Sequence, residues 1–410
     1  MSEELKIAML SAHSCPVGNL GAKDTGGMSV YIRELAREMG KQGHYVDIYT
    51  RIHDPADPQV IVLGEKARLI HLKAGQEDDI HKLALYCYLP EFTCNLENYR
   101  KNNGLYYDIV FSHYWLSTWV GTYLHQWWRA PHVAMFHTLG EIKNSIGIGE
   151  EEPELRIFTE SVSAKNCQRI IASTEHEKGE LVRLYGASPE KVGVVPCGVN
   201  MEQFRLIDKA EARRKTGLFP DEKVLLFVGR LDPLKGVKQL LKAMARLQSL
   251  DNLRLVVIGG DEDSRDEIEA LQTVAGELNI RERTDFWGMI KHEALPEYYS
   301  AADICVVPSY YESFGLVALE SLACGTPVVT TDVGEMRNII RQGETGYIVP
   351  DNNPEGLADK IAGLLVRGDR GKQTALDIRE SVRDYSWENV AGMVAGELRK
   401  ALSGQPVGIQ

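Results

Sequence analysis

One rhythm constrains this chain more than any other feature. Short β-branched apolar segments alternate with amphipathic stretches at helical spacing, and the alternation runs twice. In the first half, Ile7–Ser11, Tyr45–Tyr49, Ile109–Ser112, Val133–Phe136 and Ile170–Ala172 read as buried strands, with helical patterns such as Ser29–Met39 between several of them. After Phe204 the pattern restarts. Strands are expected at Val224–Val228, Leu255–Ile258, Thr284–Phe286, Ile304–Val307 and Val328–Thr330, and helices at Val237–Leu247 and Arg265–Glu277. Such alternation builds a parallel sheet covered by helices on both faces. The length of 410 residues calls for two of them, because a single core stops growing at about 250–300 residues. Turn signals in Val194–Phe204 place the boundary near residue 205, giving an α/β domain over 1–205 and a second over 206–385. Ser386–Leu402 starts with an N-cap serine and repeats apolar residues three or four apart, so residues 386–410 are expected to form a closing helix that packs back on the body.

Charge and cysteine usage narrow the function. With 46 basic and 58 acidic residues the chain carries a net charge of −12, which repels nucleic acid and anionic lipid, so an anionic ligand requires a local basic pocket. Seven cysteines lie scattered, without a C-x-x-C pair or zinc-finger spacing, and fit free thiols in a reducing cytoplasm. The start, Met1-Ser-Glu-Glu-Leu5, lacks the basic region and cleavage site of a signal peptide. Apolar runs such as Val224–Val228 fall far short of the roughly 20 residues that span a bilayer, so no membrane span is expected. Neither G-x-G-x-x-G nor G-x-x-x-x-G-K-[ST] occurs, which disfavours dehydrogenases and P-loop NTPases.

Ligands of open parallel sheets sit at the carboxyl ends of the strands, so the loops after strands carry the chemistry. After the first strand, Gly26 and Gly27 open a helix where a phosphate could approach backbone N–H groups; a plain tight turn uses the same pair. After Val224–Val228, Arg230 and Lys235 stand five residues apart and can aim a guanidinium and an ammonium at one diphosphate. After Ile304–Val307, a loop carries Glu312 and a helix is expected to begin around Ser313 to Gly315, leaving the amides of Phe314, Gly315 and Leu316 without intrahelical acceptors. Glu320 lies one to two turns further on, about 7–9 Å along the axis, so one ligand could span both carboxylates with its phosphates between. Apolar neighbours bury this helix, where an unpaired carboxylate is costly, and that favours a ligand role. In the first domain His137 follows a strand and suits a sugar hydroxyl, a phosphate or a structural hydrogen bond, and His113 ends a second strand on the same rim. Asp261-Glu262-Asp263 is a poor metal-nucleotide motif, so no metal ligand set and no required cofactor are expected.

Taken in order, Gly26-Gly27, Gly229-Arg230-x4-Lys235-Gly236 and the glutamate pair Glu312 and Glu320 make the chain resemble glycosyltransferase family four along nearly its whole length. The resemblance implies a GT-B fold, two Rossmann-like domains facing across a cleft, and a retaining transfer with a UDP-sugar as co-substrate. By that likeness Arg230 and Lys235 hold the donor diphosphate with Gly27 and the segment Ser313, Phe314, Gly315 and Leu316, Glu312 holds donor-sugar hydroxyls, and Glu320 the ribose. Arg230, Lys235, Glu312 and His137 become the candidate catalytic residues. Segments Ser112–Ser117, Phe136–Asn144 and Ser173–Glu177 look like the branch of sucrose-phosphate synthases and of the inositol-phosphate N-acetylglucosaminyltransferase of mycothiol synthesis. That branch implies a phosphorylated acceptor, with Lys82, Tyr114, Thr138 and Arg156 as candidates to grip it. A homodimer is compatible with this reading. Competing readings are a nucleotide-sugar epimerase or hydrolase of the same fold and a non-catalytic sugar-nucleotide binding protein.

Overall fold

The computed structural model describes residues 4–18, 26–76, 80–261, 264–366 and 371–404. Its first sheet comprises β1 (Lys6–Leu10), β2 (Tyr45–Arg51), β3 (Val60–Val62), β4 (Ala67–Leu72), β5 (Ile109–His113), β6 (His132–Met135), β7 (Arg169–Ala172) and β8 (Val192–Val194), in the order β3-β4-β2-β1-β5-β6-β7-β8. Every pairing is parallel except that of β3 with β4 at the edge. The second sheet is wholly parallel: β9 (Lys223–Val228), β10 (Leu253–Ile258), β11 (Thr284–Gly288), β12 (Ile304–Val307), β13 (Val328–Thr331) and β14 (Gly346–Val349), ordered β11-β10-β9-β12-β13-β14. In both sheets the strand order reverses beside the first strand, between β1 and β5 and between β9 and β12. A crevice opens at such a switch point, outside the strand carboxyl ends, where no helix covers the loops.

The strands read as continuous apolar runs because both faces are covered. Ile7 and Met9 of β1 enter one core, while Ala8 and Leu10 enter another on the opposite face. Val224 and Leu226 of β9 likewise point one way and Leu225 and Phe227 the other. The core that takes Ile7 and Met9 is the one that takes Val224 and Leu226, and it runs on through Val195, Val199 and Phe204.

The helix Trp387–Ser403 completes that shared core through Val390, Val394 and Leu398. Ser386 caps it by accepting from the Asn389 N–H, and the helix packs on the first domain's helix Gly27–Lys41 and on β7. The chain therefore passes between the sheets twice. The passages touch: the Val199 N–H donates to the Tyr385 carbonyl at 2.8 Å, and Val199 pairs with Ser386 in a parallel bridge. Among the described residues no helix is long and apolar enough to cross a membrane. All seven cysteines are free thiols.

Candidate active site

A cleft of about 370 Å³ lies between the two switch points, walled by loops of both domains. In the second domain, the loops after β9 and β12 are pressed together. Gly236 adopts φ +69°, and a Cβ there would meet the Pro308 carbonyl oxygen at 2.0 Å. The close approach sets Lys235 opposite Glu312, with Nζ 2.7 Å from Oε1, and the Ser309 hydroxyl donates to the same oxygen at 2.8 Å. Arg230 lies on the same wall with its side chain 44% exposed, its Nη2 3.8 Å from Asp232 Oδ2. Behind Glu312 the helix Leu316–Ala323 has Gly315 at its N-cap, at φ +123° and with no side-chain cap. The Ala318 N–H already bonds to the Gly315 carbonyl, so the amides of Gly315, Leu316 and Val317 are those without intrahelical acceptors. Such a helix end attracts an anion through both its free N–H groups and its dipole. Gly27 faces this end from the other domain: a Cβ on it would stand 3.1 Å from Leu316 Cδ1.

Glu320 sits deeper and is buried, with both carboxylate oxygens engaged. His292 Nε2 lies 2.8 Å from Oε1, and the Tyr299 hydroxyl donates to Oε2 at 2.8 Å. The Gln203 amide reaches His292 Nδ1 at 3.1 Å and Arg33 Nη2 reaches it at 3.5 Å, so Nδ1 is the acceptor and the Nε2–H donates to Glu320. A residue of the first domain thus reaches the carboxylate through one imidazole.

The first-domain wall is built differently. Tyr114 and His137, just past the ends of β5 and β6, take left-handed backbone conformations at φ 73° and 63°, a strain of about 1–3 kcal/mol each that the surrounding packing must hold. His113 Nδ1 and His137 Nε2 share a hydrogen bond of 2.8 Å. Burial keeps both rings neutral, lowering His137 to about 3 and His113 well below its ordinary range. His13, stacked on Tyr114 at 4.4 Å, is lowered to about 3 by burial and by Lys82. Arg156 is 1% exposed. Its guanidinium donates to the Tyr114 hydroxyl (3.1 Å), to the Thr138 carbonyl and Oγ1 (2.8 and 2.9 Å) and to Glu160 (2.7 Å), and lies 2.9 Å from Glu152. Lys143 also bonds Glu152, and Lys82 Nζ stands 3.9 Å from it. Burial pushes the Glu152 carboxyl up, but Arg156, Lys143 and Lys82 outweigh it and bring it down to about 2.

Residues 25–203 match the family described as Glycosyltransferase Family 4, and residues 208–380 match Glycosyl transferases group 1. The D-inositol 3-phosphate glycosyltransferase 2 of Catenulispora acidiphila is 38% identical, over 95% of this chain and 93% of its own length. The D-inositol 3-phosphate glycosyltransferase of Corynebacterium glutamicum is 35% identical over 98% of both chains. Among solved structures, sucrose-phosphate synthase from Thermosynechococcus elongatus superposes with a TM-score of 0.89 at 33% identity, over 98% of this chain and all of that one. The chain belongs to glycosyltransferase family four. It is a glycosyltransferase of GT-B fold, in the branch of those relatives.

Within this family-four chain, the cleft brings together Gly26, Gly27, Arg230, Lys235, Glu312, Ser313, Phe314, Gly315, Leu316 and Glu320 with Lys82, Tyr114, His137 and Thr138. Arg156 lies outside the cleft lining, behind Tyr114 and Thr138. Two sequence expectations need correcting. The helix begins at Leu316, so its open amides are those of Gly315 to Val317, one position later than the spacing suggests; a Cβ on Gly315 would lie 2.4 Å from Met336 Cε, a packing demand that only the fold reveals. Glu320 is buried but not unpaired, because His292 and Tyr299 come from separate elements that the local sequence does not contain. Lys143, Tyr31 and His292, which also line the cleft, were not singled out by motif. Lys143 alone carried a signal, being the next cation after the His137-Thr138 strand end. Of the acidic triplet Asp261-Glu262-Asp263, only Asp261 is within the described residues, among which no group of three or more His, Cys, Asp or Glu could hold a metal ion.

Proposed function

We propose that this glycosyltransferase moves a hexosyl group, glucose or N-acetylglucosamine, from a UDP-sugar to a small phosphorylated acceptor, D-inositol 3-phosphate first among them, with retention at the anomeric carbon. The observation that carries the reading is the one cleft in which Lys235, paired with Glu312 at 2.7 Å, and an open helix end face Gly27 of the other domain. A diphosphate placed there meets Lys235, Arg230 and the amides of Gly315 to Val317, which neutralise the charge that grows as the sugar leaves. Those groups serve the leaving diphosphate without a required metal ion.

Glu312 then accepts from donor-sugar hydroxyls through Oε2, since Lys235 and Ser309 both engage Oε1, and Glu320 accepts from the ribose through the second lone pair that each of its oxygens keeps beside its protein partner. Front-face attack places the acceptor hydroxyl beside the departing phosphate, and the phosphate oxygen takes its proton. Side chains orient the partners and stabilise charge, and no protein nucleophile is used. His137, neutral and with Nε2 bonded to His113, has Nδ1 left for a hydroxyl of the transferred sugar. The phosphorylated acceptor is supported by Lys82 and Lys143 in the opposite wall and by the names of the relatives, one carrying D-inositol 3-phosphate and the other a phosphorylated product, sucrose phosphate.

The test is release of UDP from UDP-glucose and from UDP-N-acetylglucosamine, each alone and then with D-inositol 3-phosphate, other sugar phosphates and the unphosphorylated compounds. Release that depends on one phosphorylated acceptor is expected. Release without any acceptor would mean hydrolysis or epimerisation and would overturn the transfer.

A further inference from the structure

Resting on the reading that this wall receives a phosphorylated acceptor, we infer that Glu152 is an internal stand-in for the acceptor's phosphate, whose carboxylate occupies the cradle of Lys82, Lys143 and Arg156 and so sets how tightly the cradle takes a phosphate monoester. Two buried carboxylates serve these three cations, and they are not equivalent. Glu160 is satisfied without the lysines: it accepts from Arg156 Nε at 2.7 Å, from the Tyr185 hydroxyl at 2.7 Å and from the Gly140 N–H at 2.9 Å. Among the described residues, Glu152 has no such neutral donor on its carboxylate. It draws Lys143 and Arg156 into contact, with Lys82 at 3.9 Å, and is itself only 4% exposed.

Its position is held by the backbone. The Asn144 side chain accepts from the Glu152 N–H at 2.7 Å and donates to the Glu152 carbonyl at 3.0 Å. The two lysines line the cleft whereas Glu152 does not, so their ammonium groups are held back from the opening by an anion behind them. With Glu152 ionised, three cations against two carboxylates leave one positive charge in excess. With it neutral, two remain, which matches a phosphate monoester carrying about −1.5 to −2 near neutral pH. An entering phosphate therefore competes with Glu152 for the same ammonium groups. The carboxylate lowers affinity for the anion while keeping the empty cradle from repelling itself.

The experiment titrates the full chain with inorganic phosphate and with D-inositol 3-phosphate by calorimetry, and melts it with and without phosphate, for the native protein, Glu152→Gln and Glu152→Asp. Glu152→Gln is expected to bind inorganic phosphate about tenfold more tightly, as a one-unit change in local charge allows. It is also expected to melt lower in phosphate-free buffer and to recover more than the native chain when phosphate is added. Glu152→Asp, which keeps the charge but withdraws it from the lysines, should fall between. Equal or weaker phosphate binding by Glu152→Gln would overturn the inference and leave Glu152 a structural clamp. Should that variant fail to fold, equal or weaker binding by Glu152→Asp overturns it alone. Neither measurement needs turnover. Failure of every phosphorylated acceptor in the UDP-release assay sinks the acceptor reading while phosphate titration still reports on Glu152, and acceptor-dependent release with phosphate binding indifferent to Glu152 sinks only the inference.

Discussion

The two walls of the cleft hold their charges in opposite ways. On the second-domain wall the cations stay partly open to solvent: Lys235 is 22% exposed and meets Glu312 one to one, and Arg230 is more exposed still. Positioning comes from main chain, with Gly236 admitting Pro308 and Gly315 starting a helix. On the first-domain wall Lys82 and Lys143 are as open as Lys235, but the guanidinium behind them, Arg156, is sealed among Glu152, Glu160, Tyr114 and Thr138, and the histidines are kept neutral by burial. Groups that are half in water can be removed at little cost to the fold, whereas breaking a buried ionic network leaves its other members stranded. The exposed charges of one wall stand apart from the fold, whereas those of the other lean on a buried ionic network that also holds it.

Four measurements can break or sharpen that contrast. Lys235→Ala should lower kcat by about 10³-fold, since it removes charge stabilisation from the leaving diphosphate. Its circular dichroism and melting should stay native, and near-native turnover would count against the diphosphate site. Arg156→Met should cost about 3 kcal/mol of stability by urea denaturation, because two buried carboxylates lose their cation, and should raise the acceptor KM as well. A variant that loses acceptor affinity alone would show the walls to be alike.

Acid should find the first domain earlier. His13, His132 and His137 are each lowered to about 3 by burial. Above pH 6.5 these rings are neutral whether folded or not, and their stabilisation is intact. Below it the unfolded chain takes up protons that the folded chain refuses, so stability falls toward pH 3 by up to about 1.4 kcal/mol per unit for each histidine. Melting at pH 7 and pH 5 reads this before most carboxylates titrate, and an unchanged midpoint would contradict it. The smallest effect is expected for Glu320→Gln, about a tenfold rise in the KM for the UDP-sugar with kcat nearly unchanged, since His292 and Tyr299 still hold the side chain. A fall in kcat instead would move Glu320 from the ribose to the reacting centre.

The same contrast explains what could be read without coordinates. The strands around both switch points were legible because burial on both faces makes them continuous apolar runs, as in Ile7–Leu10 and Val224–Val228. Four strands lacked that mark: β3 lies exposed at an edge, β4 is broken by Arg68 and His71, and β8 and β14 contain glycines. The grouping of Arg230, Lys235, Glu312 and Glu320 in one cleft was legible because Arg230 to Lys235 and Glu312 to Glu320 are local motifs after strand ends, although the start of the helix moved once Gly315 took its backbone turn. The partners of Glu320 were not. His292 and Tyr299 reach Glu320 through tertiary packing. Glu152 and Glu160 stand four residues to either side of Arg156, a helical spacing the sequence does carry, but no periodicity announces that all three will be buried together.

The contact between Val199 and the Tyr385–Ser386 segment has a mechanical consequence. Two bodies on a single tether can twist, tilt and separate, but two tethers lying side by side leave free only a swing about the line through them. The aperture between the walls then reduces to one angle. Trp387, just beyond the second tether, packs edge-on against Tyr31 at 5.3 Å, and Tyr31 lines the cleft. That angle is therefore felt in the cleft wall itself, and cutting the chain after Tyr385 would convert a door into a loose lid.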